Sequence, residues 1–333
     1  MADNDDILKQ AIVWLAAGKK VGLATVIGTW GSSPRPTGSL LAVEEGSEFV
    51  GSVSGGCIEG AVVEQTLAAT RAGTSKVLDF GISDSQAWEV GLACGGDMKV
   101  LVHGAPDAAT LRRLLDDRPI AMVTDMATGA YTLIDAAGAA AGLSPEVLSE
   151  ARRALAENQS RVVESTNRFV AVYNPPLRMV IVGAVHIAQT LAPMAALVGF
   201  AVTVVDPRHS FATATRFPGV ALSDEWPDDA LALIRPDSRT AVVTLTHDPK
   251  LDDPALAAAL RSDAYYIGAL GSRRTHAKRV ARLKDMGFDD AAIGRIRAPV
   301  GLPLGGRQAA EIAVAVLAEA IAACYGEPRR QPA

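Results

Sequence analysis

The sequence predicts a mixed α/β protein, with an N-terminal α+β domain over residues 1–173 and a doubly wound parallel sheet over residues 178–325. Three observations predict this fold class. The chain has 333 residues, and a domain typically takes about 100–200 residues. Hydrophobic residues make up 49% of the chain and charged residues 21%, which is enough apolar material for packed cores. At Asn174-Pro175-Pro176 the pattern changes from hairpins to strands that alternate with helices.

The first domain is predicted to mix helices with hairpins. Apolar residues recur at helical spacing in its opening segment, and Gly and Pro mark the turns between strands. Its predicted elements are helix Ile7–Ala17, strand Val21–Thr29, hairpin Leu40–Val43 with Phe49–Val53, helix Ile58–Arg71, strands Lys76–Phe80 and Met98–His103, helix Leu111–Leu115, hairpin Pro119–Asp125 with Tyr131–Asp135, helix Pro145–Glu157, and strands Arg161–Glu164 and Arg168–Tyr173.

In the second domain the alternation of strands and helices is typical of a Rossmann-like doubly wound sheet. Its predicted strands are Arg178–Val182, Ala201–Val205, Val220–Leu222, Thr240–Leu245 and Ala264–Ile267, and a last helix covers about Arg307–Cys324. Residues 179–205 contain no Asp, Glu, Lys or Arg and are long enough to cross a bilayer. Gly183, Pro193 and Gly199 interrupt this stretch, so we interpret it as a buried βαβ unit. Residues 326–333 are expected to be a disordered tail.

Net charge and cysteine content indicate which partners and which cellular compartment to expect. The net charge is −5 and the sequence pI is about 5.6, which argues against nucleic acid as a partner because phosphate recognition needs a basic face. Three cysteines indicate free thiols in a reducing compartment. The first residues are acidic and show no signal peptide. We therefore expect a cytoplasmic protein with no membrane span.

Two glycine-rich loops of the first domain each contain a cysteine. They are Ser54-Gly55-Gly56-Cys57-Ile58-Glu59-Gly60 and Ala93-Cys94-Gly95-Gly96-Asp97. Glycine lets backbone N–H groups approach a ligand closely, and a helix N-terminus lowers the pKa of a nearby thiol. Cys57 and Cys94 are therefore candidate nucleophiles, and Cys57 is also a candidate metal ligand. The alternative is that both thiols pack as small apolar groups, which is our expectation for Cys324.

The segment after the first strand of the second domain stands where a dinucleotide fingerprint is expected. Gly183 ends that strand, His186 opens the following helix, and Asp206 ends the next strand at a position suited to a ribose hydroxyl. Val185 occupies the place of the glycine that lets the backbone reach a pyrophosphate, which disfavours NAD(P). The helix N-terminus remains an anion site, and Arg208 suits a phosphate. For His186, a capping or structural role stays open.

A second strand–helix junction also has the composition of a phosphate site. Gly271, Ser272 and Arg273 follow the predicted strand Ala264–Ile267. Glycine, a hydroxyl and guanidinium groups at such a junction suit a phosphate. A solvated helix start is the alternative interpretation of the arginines.

Taken together, these motifs resemble the XdhC/CoxI family, the xanthine dehydrogenase accessory factors. The resemblance extends over nearly the whole chain and depends on the order of many short motifs. These are Gly31-Ser-Ser-Pro34-Arg35, Gly51-Ser-Val-Ser-Gly55-Gly56-Cys57-Ile-Glu59, Cys94-Gly95-Gly96, Gly183-Ala-Val-His186, Val-Val-Asp206-Pro-Arg208, Tyr266-Ile-Gly268-Ala-Leu-Gly271-Ser272-Arg273-Arg274, Pro299-Val-Gly301-Leu-Pro-Leu-Gly305, Ala310-Glu311-Ile312-Ala313 and Leu317-Ala318-Glu319.

The resemblance implies a maturation chaperone rather than a catalyst. Such a chaperone binds the molybdenum cofactor, a molybdopterin that sometimes carries a nucleotide, and supports its sulfuration. It then inserts the cofactor into an apo molybdenum hydroxylase of the xanthine or carbon monoxide dehydrogenase type. A cysteine desulfurase is the implied sulfur source. Many relatives have Gly-Ala-Gly-His where this chain has Gly183-Ala-Val185-His186. The default oligomeric state is a homodimer.

The residues expected to bind the cofactor come from both domains, with Cys57 the expected contact to molybdenum. They are Arg35, Gly55, Gly56, Cys57, Glu59, Cys94, Gly95, Gly96, Gly183, His186, Asp206, Arg208, Gly271, Ser272 and Arg273. Two other hypotheses stay open. One is an NAD(P)-dependent oxidoreductase that uses the βαβ unit, and the other is a non-catalytic scaffold for the desulfurase and the target enzyme.

Overall fold

The computed structural model describes residues 4–31, 35–56, 58–82, 96–135 and 142–326. The chain divides into two compact units, Met1–Pro175 and Pro176–Ala333. The described strand pairs are antiparallel in the first unit and parallel in the second. The predicted fold class, an α+β domain followed by a Rossmann-like doubly wound sheet, is therefore confirmed.

The first sheet has a helix on each face. Its elements are α1 (Asn4–Ala16), β1 (Val21–Gly31), β2 (Leu40–Glu44), β3 (Phe49–Gly51), α2 (Glu59–Ala72), β4 (Ser75–Ile82) and β5 (Gly96–Gly104). The strand order is β3-β2-β1-β5-β4. Successive side chains of a strand point to opposite faces, so Leu23 packs in the cluster that contains Ile7 of α1, while Ala24 packs in the cluster that contains Val62 of α2.

The second sheet of this unit shares the core of α1. Its elements are α3 (Ala108–Asp116), β6 (Ile120–Asp125), β7 (Tyr131–Asp135), α4 (Pro145–Glu157), β8 (Arg161–Val163) and β9 (Arg168–Tyr173). The strand order is β7-β6-β9-β8. Met122 and Phe169 lie in the α1 cluster, whereas Val123 and Val170 pack with Val147 of α4 on the other face. Both faces of the sheet are thus covered by apolar side chains.

The second unit is a parallel sheet whose central strands are apolar on both faces. Its elements are β10 (Arg178–Val182), α5 (His186–Leu197), β11 (Ala201–Val205), β12 (Ala221–Ser223), α6 (Pro227–Ile234), β13 (Thr240–Thr244), α7 (Pro249–Leu260), β14 (Tyr266–Ala269), α8 (Arg273–Asp285), α9 (Asp290–Ile293), β15 (Ile296–Arg297) and α10 (Ala309–Tyr325). The strand order is β12-β11-β10-β13-β14-β15. Met179 and Ile181 pack toward α5 and α10, and Val180 and Val182 pack toward α6 and α7.

Most predicted boundaries agree with the structure within two residues. The charge-free stretch is confirmed as a βαβ unit made of β10, α5 and β11. The strand predicted at Ala264–Ile267 instead covers Tyr266–Ala269, because Gly268 and Ala269 pair with Val243 and Thr244 of β13 despite their weak strand preference. The predicted disordered tail lies outside the described residues beyond Gly326. No helix in the described ranges combines the length and apolar character that a bilayer span needs.

Candidate functional site

The segment between β3 and α2 is organised around one buried carboxylate. Glu59 is the first residue of α2, and only 7% of it is exposed. Its Oε1 accepts hydrogen bonds from the Ser52 hydroxyl at 2.7 Å, the Ser54 N–H at 2.9 Å and the Val53 N–H at 3.2 Å. Its Oε2 accepts from the Ser54 hydroxyl and, at 2.9 Å, from the Gly56 N–H. One side chain therefore holds the whole turn that leads into α2.

Two further N–H groups in the described part of the loop are also used internally. Gly55 donates to the Ser52 hydroxyl at 2.8 Å, and Ile58 donates to the Ser54 hydroxyl at 3.1 Å. Gly55 and Gly56 have φ values of 81° and 124°, which favour glycine. The glycines thus serve the shape of the loop, and their predicted contact with a ligand stays a prediction.

These hydrogen bonds keep Glu59 ionised in spite of its burial. Burial alone raises the pKa of this carboxyl, but the Ser54 and Ser52 hydroxyls and the backbone donors outweigh it and lower the pKa to about 2. Glu59 was predicted to bind cofactor, and in the described structure its carboxylate is occupied by the loop. Direct contact between Glu59 and a ligand also stays a prediction.

Arg35 belongs to the same end of the first sheet. Its Nε donates to the Ser52 carbonyl oxygen at 3.1 Å. Gly31, the last residue of β1, pairs with Gly96, the first residue of β5, and β3 ends at Gly51 in the same direction as β1. The structure therefore groups the predicted residues Arg35, Gly55, Gly56 and Glu59 at the end of β3, which lies in register with Ala24 of β1. Gly96 lies further along the same sheet, opposite Gly31. Cys57, Cys94 and Gly95 lie outside the described residues.

In the second unit, Gly183 lies at the carboxyl end of β10 with a backbone that requires glycine. Its φ is 107°, and a Cβ at this position would lie 2.5 Å from Thr246 Cγ2. Val185 precedes α5 and makes no side-chain cap, and His186 is exposed in the first turn of that helix. Gly183 and His186 thus stand at the sheet edge where the sequence predicts them.

Asp206 is fully buried, and both of its oxygens are occupied. It accepts from the Ala184 N–H at 2.8 Å and from Arg208 Nε and Nη2 at 2.8 and 2.7 Å. Burial raises the pKa of Asp206, but the hydrogen bonds from Arg208 and Ala184 lower it further than burial raises it. The Arg208 guanidinium also stacks 4.0 Å from the centre of the Phe211 ring. A ribose hydroxyl would have to displace Arg208 to reach this carboxylate.

The third predicted group opens α8. Gly271 has a φ of 137°, and Ser272 caps the helix by accepting from the Thr275 N–H at 3.1 Å. Arg273 follows as an exposed first residue. This capping role was not the one predicted for Ser272, whose contact with a phosphate stays a prediction.

Two family models match this chain. The model of the XdhC Rossmann domain matches residues 179–320, and that of the XdhC and CoxI family matches residues 14–81. A curated relative, the molybdenum cofactor insertion chaperone PaoD of Escherichia coli (strain K12), is 30% identical over 321 residues, which cover 95% of this chain and 87% of that protein. The chain belongs to the XdhC and CoxI family.

A further relative and a solved structure agree with this membership of the XdhC and CoxI family. A Bacillus subtilis (strain 168) protein, named as a probable subunit of xanthine dehydrogenase, is 27% identical over 311 residues, or 90% of this chain and 92% of that protein. A crystal structure described as a xanthine dehydrogenase from Bacillus halodurans superposes with a TM-score of 0.77 at 23% identity, covering 99% of this chain and 98% of that one. The latter supports the fold.

In this member of the XdhC and CoxI family, some side chains that shape the candidate site are not among the residues predicted from the sequence. The Ser52 and Ser54 hydroxyls hold Glu59; the signal was a pair of serines just before a glutamate at a predicted helix start. Asp252 was also missed. It is 1% exposed, accepts from the Thr246 hydroxyl at 2.6 Å, and lies 3.4 Å from Arg279 Nη2. Within the described ranges, His, Cys, Asp and Glu form no metal-binding cluster.

Proposed function

We propose that this chain is a chaperone that binds the molybdenum cofactor and inserts it into an apo molybdenum hydroxylase of the xanthine or carbon monoxide dehydrogenase type. Family membership supports the proposal. So does PaoD, whose name describes an insertion chaperone for this cofactor and which matches 95% of this chain. The name of the Bacillus subtilis relative links the family to xanthine dehydrogenase. The cofactor is the cargo of the protein and not its resident group.

The loop Ser52–Glu59 is the structural observation behind the proposal. An ionised, buried Glu59 fixes this loop at the start of α2, and Arg35 is hydrogen-bonded to it. Position 57 follows Gly56 directly, so a thiol there would stand near a helix N-terminus, which favours the thiolate. A thiolate is a soft ligand of the kind that molybdenum accepts, and a guanidinium suits the cofactor's phosphate. We therefore assign molybdenum contact to Cys57 and phosphate contact to Arg35.

The finer roles extend the same proposal. We infer that Cys94, Gly95 and Gly96 complete the site in the first unit, and that the chain supports exchange of an oxo for a sulfido ligand with a cysteine desulfurase as sulfur source. The protein is proposed to act as a homodimer. Cofactor contacts are also proposed for a set of second-unit residues: Gly183, His186, Asp206, Arg208, Gly271, Ser272 and Arg273.

An NAD(P)-dependent oxidoreductase is the competing class. Asp206 has both oxygens engaged by Arg208 and Ala184, and Val185 stands where a pyrophosphate needs a glycine. Both features favour the chaperone. A nucleotide present at 100 times its Kd raises the free energy of unfolding by about 2.7 kcal/mol, so thermal unfolding with millimolar NADH or NADPH separates the two classes.

The deciding measurement is the molybdenum content and the pterin fluorescence, after oxidation, of protein from a host that makes the cofactor. Wild type is expected to contain near-stoichiometric molybdopterin, and Cys57→Ser is expected to lose most of it. Cys324→Ser, a substitution in α10 outside the proposed site, is the matched control and should retain wild-type levels. Wild type without pterin would overturn the chaperone proposal. Equal pterin in wild type and Cys57→Ser would overturn only the role of the thiol.

A further inference from the structure

A cavity of about 320 Å³ in the second unit has no part in the proposed handling of molybdenum. It lies between the residues that follow β13 and one side of α8. The lining residues are His247, Pro249, Asp252, Arg274, Thr275, Lys278, Arg279 and Arg282. Residues 274, 278 and 282 are four apart, so they share one face of the helix. None of these lining residues is among the candidate cofactor ligands.

The cavity carries a net positive charge. Arg282 is paired with Asp253 through two hydrogen bonds, and Arg279 lies 3.4 Å from Asp252. Arg274 and Lys278 form no ion pair with any described residue. Four cationic side chains therefore face two carboxylates, which leaves about two positive charges for a ligand to neutralise.

Arg279 is the most unusual group of the cavity. It is 1% exposed, and its Nη2 donates to the Leu270 carbonyl oxygen at 3.0 Å. Its Nε and Nη1 find no acceptor within the described part of the chain. Buried donors are nearly always paired, because an unpaired one loses its bonds to water without replacement. Arg279 lines the cavity, so an anionic oxygen bound there is a candidate for the missing acceptor.

The beginning of α8 adds to this attraction for anions. The helix has 13 residues and presents the positive end of its dipole here. Gly271 precedes it with a φ of 137°, and a Cβ at that position would lie 3.6 Å from His247 Nδ1 and 3.1 Å from Thr275 Cγ2. Glycine at position 271 thus suits its positive φ and the close approach of Thr275, and His247 of the loop after β13 lies within van der Waals range of the same point.

We propose that this cavity binds a phosphate group, either free or as the terminal phosphate of a nucleotide or another small phosphorylated molecule. Its volume stands at the lower end of the roughly 300–1,000 Å³ of ligand pockets, which leaves room for a phosphate group and for part of the molecule that carries it. A phosphate monoester carries about −1.5 to −2 charges at neutral pH, which matches the excess of cations. The planar fork of Arg279 is suited to two phosphate oxygens. The lining residues are different from Gly271, Ser272 and Arg273, the neighbouring positions proposed to contact the cofactor, so the phosphate site can be tested separately from cofactor insertion.

Isothermal titration of the purified full chain at constant ionic strength tests it, with inorganic phosphate, pyrophosphate and ADP as separate probes. The double variant Arg274→Gln/Lys278→Gln removes the two unpaired cations on exposed positions, where the fold tolerates the change. Lys284→Gln removes an exposed cation of the same helix that does not line the cavity. We expect saturable binding that weakens at least about tenfold in the double variant and less than about twofold in Lys284→Gln.

The other outcomes are as informative. No saturable heat from any probe at about 10 mM, enough to detect a Kd of 1 mM, would overturn the proposal, as would equal weakening in Lys284→Gln and the double variant. ADP binding more than about tenfold tighter than phosphate would identify a nucleotide as the source. Equal affinities would identify the phosphate alone. Arg279→Lys, which keeps the charge and loses the fork, should weaken binding if the variant shows the wild-type circular dichroism spectrum.

Discussion

Glu59 is a single residue whose charge stabilises the loop between β3 and α2. Its pKa falls from the ordinary 4.5 to about 2 because the Ser54, Ser52 and backbone hydrogen bonds overcome the effect of burial. A group with a lowered pKa stabilises the folded state above its unfolded pKa. That stability is lost as the pH falls through the folded pKa. The difference between the unfolded and folded pKa values corresponds to about 3 kcal/mol of folding stability. This stability is fully present above about pH 4.5 and is lost toward pH 2.

Glu59→Gln should therefore lower the free energy of unfolding at pH 7 by about 2–3 kcal/mol, because the amide lacks the charge and turns an NH₂ group toward N–H donors. Urea denaturation measures this change. Glu64→Gln, at an exposed position of the same helix, is the matched control and should change stability by less than about 0.5 kcal/mol. The gap between wild type and Glu59→Gln should narrow from about pH 4.5 downward. A gap that stays constant to about pH 2.5 would contradict the role assigned to the ionised carboxylate.

At the scale of the element, the contact between β1 and α2 depends on one glycine. A Cβ on Gly22 would lie 2.4 Å from Thr70 Oγ1 and 2.6 Å from Thr66 Cγ2. Both threonine hydroxyls donate back to their own helix, to Val62 O at 2.6 Å and Thr66 O at 2.7 Å, so they are not free to turn away. Helix α2 therefore reaches the sheet only because residue 22 has no side chain.

Gly22→Ala should lower the free energy of unfolding by about 1–3 kcal/mol, the usual cost of overpacking a close contact. Gly28 lies in the same strand, and a Cβ added there would have no neighbouring atom within 4 Å. Gly28→Ala therefore serves as the control and should be neutral within about 0.5 kcal/mol. Thermal unfolding followed by circular dichroism gives both values. Equal effects at the two positions would mean that strand flexibility, and not the contact with α2, determines the loss of stability.

At the scale of the whole molecule, each unit has its own apolar cores. The clusters around α1, α2 and α4 are formed by residues up to 173, and the two clusters of the parallel sheet are formed by residues from 177 onward. A unit that contains a complete core has what it needs to fold independently. The parallel sheet has apolar side chains on both of its faces, as such sheets require.

A fragment of residues 176–326 should therefore fold without the first unit. We expect a helix-rich circular dichroism spectrum, a cooperative thermal transition and dispersed amide signals in NMR. The Leu191→Asp variant of the fragment places a charge in the core on one face of the sheet and should abolish the transition. A wild-type fragment without cooperative unfolding would show that the second unit needs the first for its stability.

The fold class, the order of the elements and the family can all be predicted from the amino-acid sequence. The alternation of strands with helices after the Asn174-Pro175-Pro176 stretch and the breaks in the charge-free segment are local patterns. Their spacing is visible along the chain, because the period of apolar residues follows the geometry of the backbone. The end of β14 was misplaced, since Gly268 and Ala269 are held in the sheet by pairing with β13.

The pairing of the polar residues, by contrast, is visible only in the folded structure. Glu59 accepts hydrogen bonds from its own loop, and Asp206 accepts from Arg208. Arg279 lines a cavity, and its Nε and Nη1 have no acceptor among the described residues. In the same way, only packing distinguishes Gly22 from Gly28. The physical reason is that the energy of a buried polar or tightly packed group depends on atoms that folding brings from elsewhere in the chain. The sequence shows which polar and small residues are present, and the fold determines which atoms they contact.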